Sequence, residues 1–233
     1  MADETDRAEL NLVHVARVAK VRPVEPGIGP GLLLLHGRGA DEYDLMGLEE
    51  GLDPRLTIIS VRAPHRLGSG FMWYDRYRPG EPDSETIRSS LTELRKFVDD
   101  IIRVYPIGAK RLYLLGFSQG AIMSAALALT DPEKVCGVIM HSGYVPTNPA
   151  MEASPDGLKG KPFFVAHGQY DDVIPVSYGR EAAAYLAEHK ARLTYREYPV
   201  GHTISEESFY DLSEWLTDEL DADRGSGISN FEP

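Results

Sequence analysis

Cysteine is almost absent from this sequence, because Cys136 is the only one among 233 residues. A single cysteine excludes an intrachain disulfide and a zinc site built from cysteines. Long apolar runs are missing as well, since no stretch approaches the roughly 20 apolar residues that a membrane-spanning helix needs. We therefore expect no integral membrane association and a core held together by side-chain packing.

Positively charged residues are also few compared with negatively charged ones. Lys and Arg number 24 against 36 Asp and Glu, which gives a net charge of -12. Such a surface repels phosphate backbones, so no nucleic-acid partner is expected. The first residues are acidic and lack the apolar segment of a secretory signal, and a cytoplasmic location is the expectation.

Short apolar runs alternate with helical patterns along the chain. Continuous rather than alternating apolarity predicts strands that are covered on both faces, as in parallel sheets. Five such runs occupy residues 31–36, 56–61, 112–117, 135–140 and 163–166. Two more mixed segments complete the pattern: 10–21 predicts an antiparallel edge strand, and 193–198 predicts a parallel strand near the other edge.

Helices are predicted between these strands, over residues 84–105, 121–129, 177–190 and 205–220. Thr203 stands three residues before Glu206, the spacing of a capping box for the last helix. Segments 62–83 and 144–162 are predicted as long loops.

The alternation of strands and helices predicts an α/β fold with a mainly parallel central sheet and helices on both faces. It fits one domain over residues 1–220, followed by a mobile tail over 221–233.

A nucleophile candidate lies where one predicted strand meets a helix. Residues 116–120 read Gly-Phe-Ser-Gln-Gly, which matches the G-x-S-x-G pattern. That motif places its serine on a sharp strand-to-helix turn, at the carboxyl end of the sheet. Ser118 is therefore the predicted nucleophile, and the alternative is an ordinary glycine-rich turn.

A serine hydroxyl needs a base, and the base needs a group to orient it. In the chain order that accompanies this motif, an acid and then a histidine follow the serine. His202 follows the strand at 193–198, and Asp171 and Asp172 follow the strand at 163–166. The residues alone do not choose between the two aspartates, and the alternatives are a loop histidine and helix-capping carboxylates.

Backbone amides are the predicted stabilisers of a developing oxyanion. The candidates are the N–H of Arg38, in the turn after the first parallel strand, and the N–H of Gln119. The alternatives for that turn are an ordinary glycine-rich turn and a phosphate-binding loop, but both glycine-rich nucleotide motifs are missing. No H-E-x-x-H is present either, so neither a metal nor another cofactor is expected.

Five motifs together resemble the phospholipase/carboxylesterase family, which includes the acyl-protein thioesterases. They are 35–41 (LHGRGAD), 116–120 (GFSQG), 141–146 (HSGYVP), 167–175 (HGQYDDVIP) and 201–202 (GH). The resemblance implies an α/β-hydrolase fold without a separate cap domain, Asp171 as the catalytic acid, and oxyanion donors at Arg38 and Gln119. It also implies activity on carboxylic or thioester acyl groups and a possible homodimer. Arg38 stands where acyl-protein thioesterases commonly carry an apolar residue.

The substrate pocket is predicted from apolar residues near the motifs. Leu67, Phe71 and Trp73 are expected on one wall, and Val173 and Ile174 near the other. In the alternative interpretation, Trp73 and Phe71 pin their loop to the core. The predicted function is a serine carboxylesterase for small-molecule esters, with thioesters and lysophospholipids as further candidates. Its competitors are a non-catalytic ligand-binding module on the same scaffold and a peptidase or acyltransferase.

Overall fold

The fold is built around a seven-stranded, mainly parallel sheet. The computed structural model describes residues 10–21, 29–78, 80–147 and 153–226. The strands of these residues are, in chain order, β1 (His14–Arg17), β2 (Gly29–Leu35), β3 (Thr57–Val61), β4 (His65–Leu67), β5 (Gly70–Met72), β6 (Arg76–Arg78), β7 (Glu81–Pro82), β8 (Ile107–Phe117), β9 (Gly137–His141), β10 (Pro162–Gly168) and β11 (Arg192–Tyr198). In the central sheet the order is β1-β3-β2-β8-β9-β10-β11.

Strand directions agree with the apolar pattern. Every residue of β2, β3, β9 and β10 is buried, as expected for parallel strands that are covered on both faces. Strand β1 pairs antiparallel with β3 at one edge, and β11 pairs parallel with β10 at the other. Both edge predictions are confirmed.

Four helices pack against the sheet: α1 (Ser84–Val104), α2 (Gln119–Thr130), α3 (Val176–Glu188) and α4 (Glu206–Ser226). Alternate side chains of β2 enter different cores, since Leu33 and Leu35 join one cluster and Leu32 and Leu34 the other. The first cluster contains buried residues of α1, α2 and α3. The second contains Leu212, Leu216 and Leu220 of α4. The predicted α/β fold with helices on both faces is confirmed.

Helix α1 shows how the sequence determines a boundary. Asp83 caps it, because its side chain accepts a hydrogen bond from the Thr86 N–H at 2.9 Å. Its buried stripe consists of Ile87, Ser90, Leu91, Leu94, Phe97, Val98 and Ile101. The helix ends at Val104, one residue before the predicted end.

Three predictions need correction. Residues 62–83 are not a plain loop, because they contain the hairpins β4–β5 and β6–β7, whose strands have only two or three residues each. Helix α4 continues to Ser226, so residues 221–226 are helical, and 227–233 lie outside the described residues. The cap of α4 is a pair of serines: the Ser208 N–H donates to Ser205 Oγ, and the Ser205 N–H donates to Ser208 Oγ.

Candidate active site

Ser118 lies on the sharp turn that the motif predicts, between the end of β8 and the start of α2. Its φ is 53° and its ψ is -118°, a backbone conformation that costs a non-glycine residue about 1–3 kcal/mol. The flanking glycines allow the tight approach. A Cβ at Gly120 would lie 1.8 Å from the Leu35 carbonyl oxygen, and a Cβ at Gly116 would lie 2.3 Å from the backbone of Gly120.

The structure brings Ser118, His202 and Asp171 together in one line of hydrogen bonds. His202 Nε2 lies 2.9 Å from Ser118 Oγ, and His202 Nδ1 lies 2.7 Å from Asp171 Oδ2. The neighbouring Asp172 is exposed and Asp171 is buried. The geometry therefore favours Asp171, which the residue pattern alone did not separate from Asp172.

Asp171 is held by the loop that follows β10. Its Oδ1 accepts hydrogen bonds from the Val173 N–H at 2.9 Å and the Ile174 N–H at 2.8 Å. Because these bonds and complete burial fix the carboxylate, Oδ2 faces the imidazole of His202. A carboxylate can only accept hydrogen bonds, so His202 Nδ1 carries the ring proton and donates it to Asp171. His202 Nε2 then has no proton and accepts a hydrogen bond from the Ser118 hydroxyl.

Two other histidines that end strands are structural supports. The Ala63 N–H donates to His36 Nε2 at 3.0 Å, and His36 Nδ1 donates to the Gly37 carbonyl at 2.7 Å. Burial lowers the pKa of His36, which keeps the ring neutral beside the turn. His141 is buried too, and desolvation lowers its pKa to about 3.

The turn after β2 faces the N-terminus of α2 across the candidate site. Gly39 has a φ of 89°, and its N–H donates to the Phe71 carbonyl at 2.7 Å. Among the turn, loop and cap hydrogen bonds between backbone groups of the described residues, none is donated by the Arg38 or Gln119 amide. Arg38 lines the same cavity as Ser118, and Gln119 is the first residue of α2. Both amides therefore stay the predicted donors to a substrate oxygen.

Sequence reasoning missed the role of the Gln119 side chain. Its Oε1 accepts from the Trp73 N–H at 3.1 Å, and its Nε2 donates to the Tyr74 carbonyl at 2.8 Å. The indole of Trp73 donates in turn to the His36 carbonyl at 2.9 Å. A long amide side chain directly after the nucleophile is the only signal of this contact in the sequence.

Trp73 is therefore not a pocket wall, which corrects the prediction. Its side chain is 0% exposed and pins its segment to the core, as the alternative interpretation stated. Ile174 is buried as well and acts through its amide on Asp171. Phe71 packs under the guanidinium of Arg62, 4.5 Å from the ring centre.

A cavity of about 520 Å³ opens over Ser118. Two of the residues predicted for the pocket, Leu67 and Val173, line it. Its other lining residues are Gly37, Arg38, Gly39, Ala40, Asp44, Arg76, Phe117, Ser118 and His202. Arg76 was not predicted for the site, because nothing in its local pattern indicates that the β6–β7 hairpin reaches Ser118.

This arrangement, a mainly parallel sheet with a serine on a tight strand-to-helix turn, is the α/β-hydrolase fold. Residues 24–219 match the model of the Phospholipase/Carboxylesterase family. The chain belongs to that family, as its motifs indicated.

Individual relatives agree with this assignment. Acyl-protein thioesterase 1 of Kluyveromyces lactis is 29% identical over 231 residues, which cover 91% of this chain and 98% of that protein. The crystal structure of a Bacillus cereus carboxylesterase superposes with a TM-score of 0.80 at 26% identity and covers 91% of this chain and 96% of its own. Zea mays acyl-protein thioesterase 2 shares the fold, with a TM-score of 0.72, 23% identity and coverage of 89% and 99%.

In the part of the chain that the structure describes, no helix has both the length and the apolarity to cross a bilayer. Within the same residues, no group of three or more His, Cys, Asp or Glu side chains is arranged to hold a metal ion.

Proposed function

We propose that this protein is a serine carboxylesterase that works through an acyl-enzyme intermediate on Ser118. The observation that carries the proposal is the pair of contacts made by His202, at 2.9 Å to Ser118 and 2.7 Å to Asp171. Membership of a family of ester hydrolases supports the same reaction class.

In the first half of the cycle, Ser118 Oγ attacks the ester carbonyl while His202 Nε2 takes its proton. Asp171 stabilises the imidazolium that forms. The Arg38 and Gln119 amides donate to the oxyanion, where one such donor is worth about 2.7–4 kcal/mol of barrier. The bond to the leaving oxygen then breaks, and His202 passes its proton to the departing alcohol.

In the second half, water attacks the acyl-enzyme. His202 accepts a proton from that water, and the hydroxide adds to the acyl carbon. When this intermediate collapses, the carboxylic acid leaves and Ser118 Oγ regains its proton. A thioester follows the same course with a thiol as leaving group, and the thioesterase name of the Kluyveromyces relative supports testing it. Lysophospholipids, a cytoplasmic location and a homodimer stay predictions.

A serine-directed fluorophosphonate probe tests the nucleophile, together with 4-nitrophenyl esters and acyl-thioesters of graded length. We expect the wild type to be labelled and Ser118→Ala to be unlabelled, folded and about 10⁴-fold or more slower. A wild type that neither labels nor hydrolyses any of these compounds would instead support a non-catalytic ligand-binding module on this scaffold.

A further inference from the structure

The cavity over Ser118 is lined by positively charged side chains, although the protein as a whole is negatively charged. The whole chain carries a net charge of -12, yet two arginines, Arg38 and Arg76, line this one cavity. The apolar side chains beside them come from Ala40, Leu67, Phe117 and Val173. Guanidinium groups bind oxyanions well.

Arg38 is only partly satisfied by the protein. Its Nη2 lies 3.5 Å from Asp75 Oδ1, and the Asp75 side chain is 60% exposed, so this is a loose surface contact. Arg38 Nε is buried and has no hydrogen-bond partner among the described residues. A buried donor without a partner costs about 1–3 kcal/mol, which an acceptor on a ligand would recover.

Arg76 lines the same cavity as Arg38 but belongs to a different element, strand β6. It begins β6, directly after the Tyr74–Asp75 segment that Gln119 and Thr86 hold by hydrogen bonds. Burial raises the pKa of the Tyr74 phenol, and the charges of Arg76 and Arg38 both oppose that rise. Both guanidinium charges therefore act on the same phenol.

One carboxyl group lines the same cavity as this pair. It belongs to Asp44, and burial raises the pKa of Asp44 above its ordinary value. Two guanidinium groups and one carboxyl group therefore line the cavity. The balance favours an anionic ligand.

We infer that Arg38 and Arg76 bind an anionic group, a carboxylate or a phosphate, on the ester that Ser118 hydrolyses. This inference rests on the proposed function and names its substrate class: acidic esters rather than neutral acyl chains. Arginine suits the role because its planar fork donates two parallel hydrogen bonds to such a group.

Two series of esters test the charge on either side of the scissile bond. On the acyl side, monoethyl succinate is compared with ethyl butanoate. On the alcohol side, 4-acetoxybenzoate and 4-acetoxyphenyl phosphate are compared with phenyl acetate, which also separates a carboxylate from a phosphate. We expect kcat/KM for an anionic ester to exceed that of its neutral partner about tenfold or more in at least one series.

Variants then assign the preference to the two arginines. Arg38→Gln and Arg76→Gln should each lower the anionic-to-neutral ratio of kcat/KM about tenfold, and Arg76→Lys should keep part of it. Arg88→Gln, on the exposed face of α1, is the charge-matched control, and its ratio should equal that of the wild type. Succinate, as a competitive inhibitor of phenyl acetate hydrolysis, should lose affinity in the two arginine variants.

The outcomes separate the two proposals. If Ser118-dependent hydrolysis is found but no anionic ester is preferred in either series, the subsite inference is wrong and the esterase proposal stands. A ratio that falls equally in Arg88→Gln would also overturn the inference, because the effect would then be general electrostatics. If Ser118→Ala is as active as the wild type, the esterase proposal itself fails.

Discussion

Trp73 and Gln119 link the two segments that carry the candidate oxyanion donors, the turn after β2 and the start of α2. The Trp73 main-chain N–H donates to Gln119 Oε1 at 3.1 Å, and the Trp73 indole donates to the His36 carbonyl at 2.9 Å. His36 directly precedes the turn that holds Arg38. The spacing between the two amides therefore depends on one buried tryptophan.

Gln119→Met should slow the reaction through this linkage. The substitution leaves the backbone amide in place but removes the partners of the Trp73 N–H and the Tyr74 carbonyl, both in a buried segment. We expect kcat to fall about tenfold with a smaller change in KM, because a displaced oxyanion donor acts mainly in the transition state. Steady-state kinetics on a 4-nitrophenyl ester and a thermal melt measure the two effects.

Ser124→Ala is the control for that variant. Ser124 is also fully buried in α2, and its hydroxyl donates within the helix to the Gly120 carbonyl at 2.8 Å. We expect a small loss of stability with an unchanged kcat. Equal losses of kcat in both variants would show that Gln119 acts only through general stability.

The adjacent aspartates offer a matched pair. Asp171→Asn should lower kcat by about 10³–10⁴, because the amide no longer fixes the tautomer and charge of His202. Asp172→Asn should change kcat less than twofold, since Asp172 is exposed and lies outside the hydrogen-bonded line. Comparable losses in the two variants would contradict the assignment of Asp171.

Much of this site could be predicted from chain order. Ser118, His202 and the pair of aspartates each follow a parallel strand, and the carboxyl ends of parallel strands meet at one edge of a sheet. The choice between Asp171 and Asp172 could not be made from the residues, because it depends on which side chain the Val173 and Ile174 amides hold.

Two of the remaining misses share one cause, and the third has a different one. Trp73 and Arg76 lie in or beside hairpins whose strands are too short to show a period of two. Aromatic content in that segment indicated proximity to the site but not which rings are covered. Thr203 and Glu206 had the spacing of a capping box, yet the loop after His202 places Ser205 at the helix start instead.

Gly120→Ala should be severely destabilising. The added Cβ would lie 1.8 Å from the Leu35 carbonyl oxygen, where backbone must move to relieve the contact. We expect an insoluble protein or a midpoint of thermal unfolding lowered by ten degrees or more, roughly the effect of several kcal/mol. Gly47→Ala is the control, since a Cβ there meets no atom within 4 Å. A Gly120→Ala protein with the wild-type midpoint would contradict the tight strand-to-helix turn.

The cap of α4 predicts a second matched pair. Ser205→Ala should lower the free energy of unfolding by about 1 kcal/mol, because the Ser208 N–H loses its acceptor at the helix start. Thr203→Ala should change it by less than about 0.5 kcal/mol, the usual range for an exposed residue outside such a feature. Urea unfolding of the two variants measures both values, and a larger effect at Thr203 would restore the original capping prediction.

Stability should fall as the pH is lowered from 7 to 5. Burial lowers the pKa of His36, His141 and His167 below the ordinary value of 6.5, and that of His141 to about 3. Below pH 6.5 the unfolded chain binds protons that these native rings do not accept, so acid favours unfolding. The stabilisation is present above pH 6.5 and is lost progressively as the pH falls, by at most about 1.4 kcal/mol per pH unit for a fully neutral native ring.

Urea unfolding at intervals between pH 5 and 7.5 measures that slope, in a range above the titration of ordinary carboxylates. His141→Gln removes one titrating ring, so its slope should be smaller than that of the wild type even if the variant is less stable throughout. Ser124→Ala is the control, because it removes a buried hydroxyl and no imidazole, so the slope should be retained. A wild-type stability that is flat across this range would show that these histidines become protonated in the folded protein.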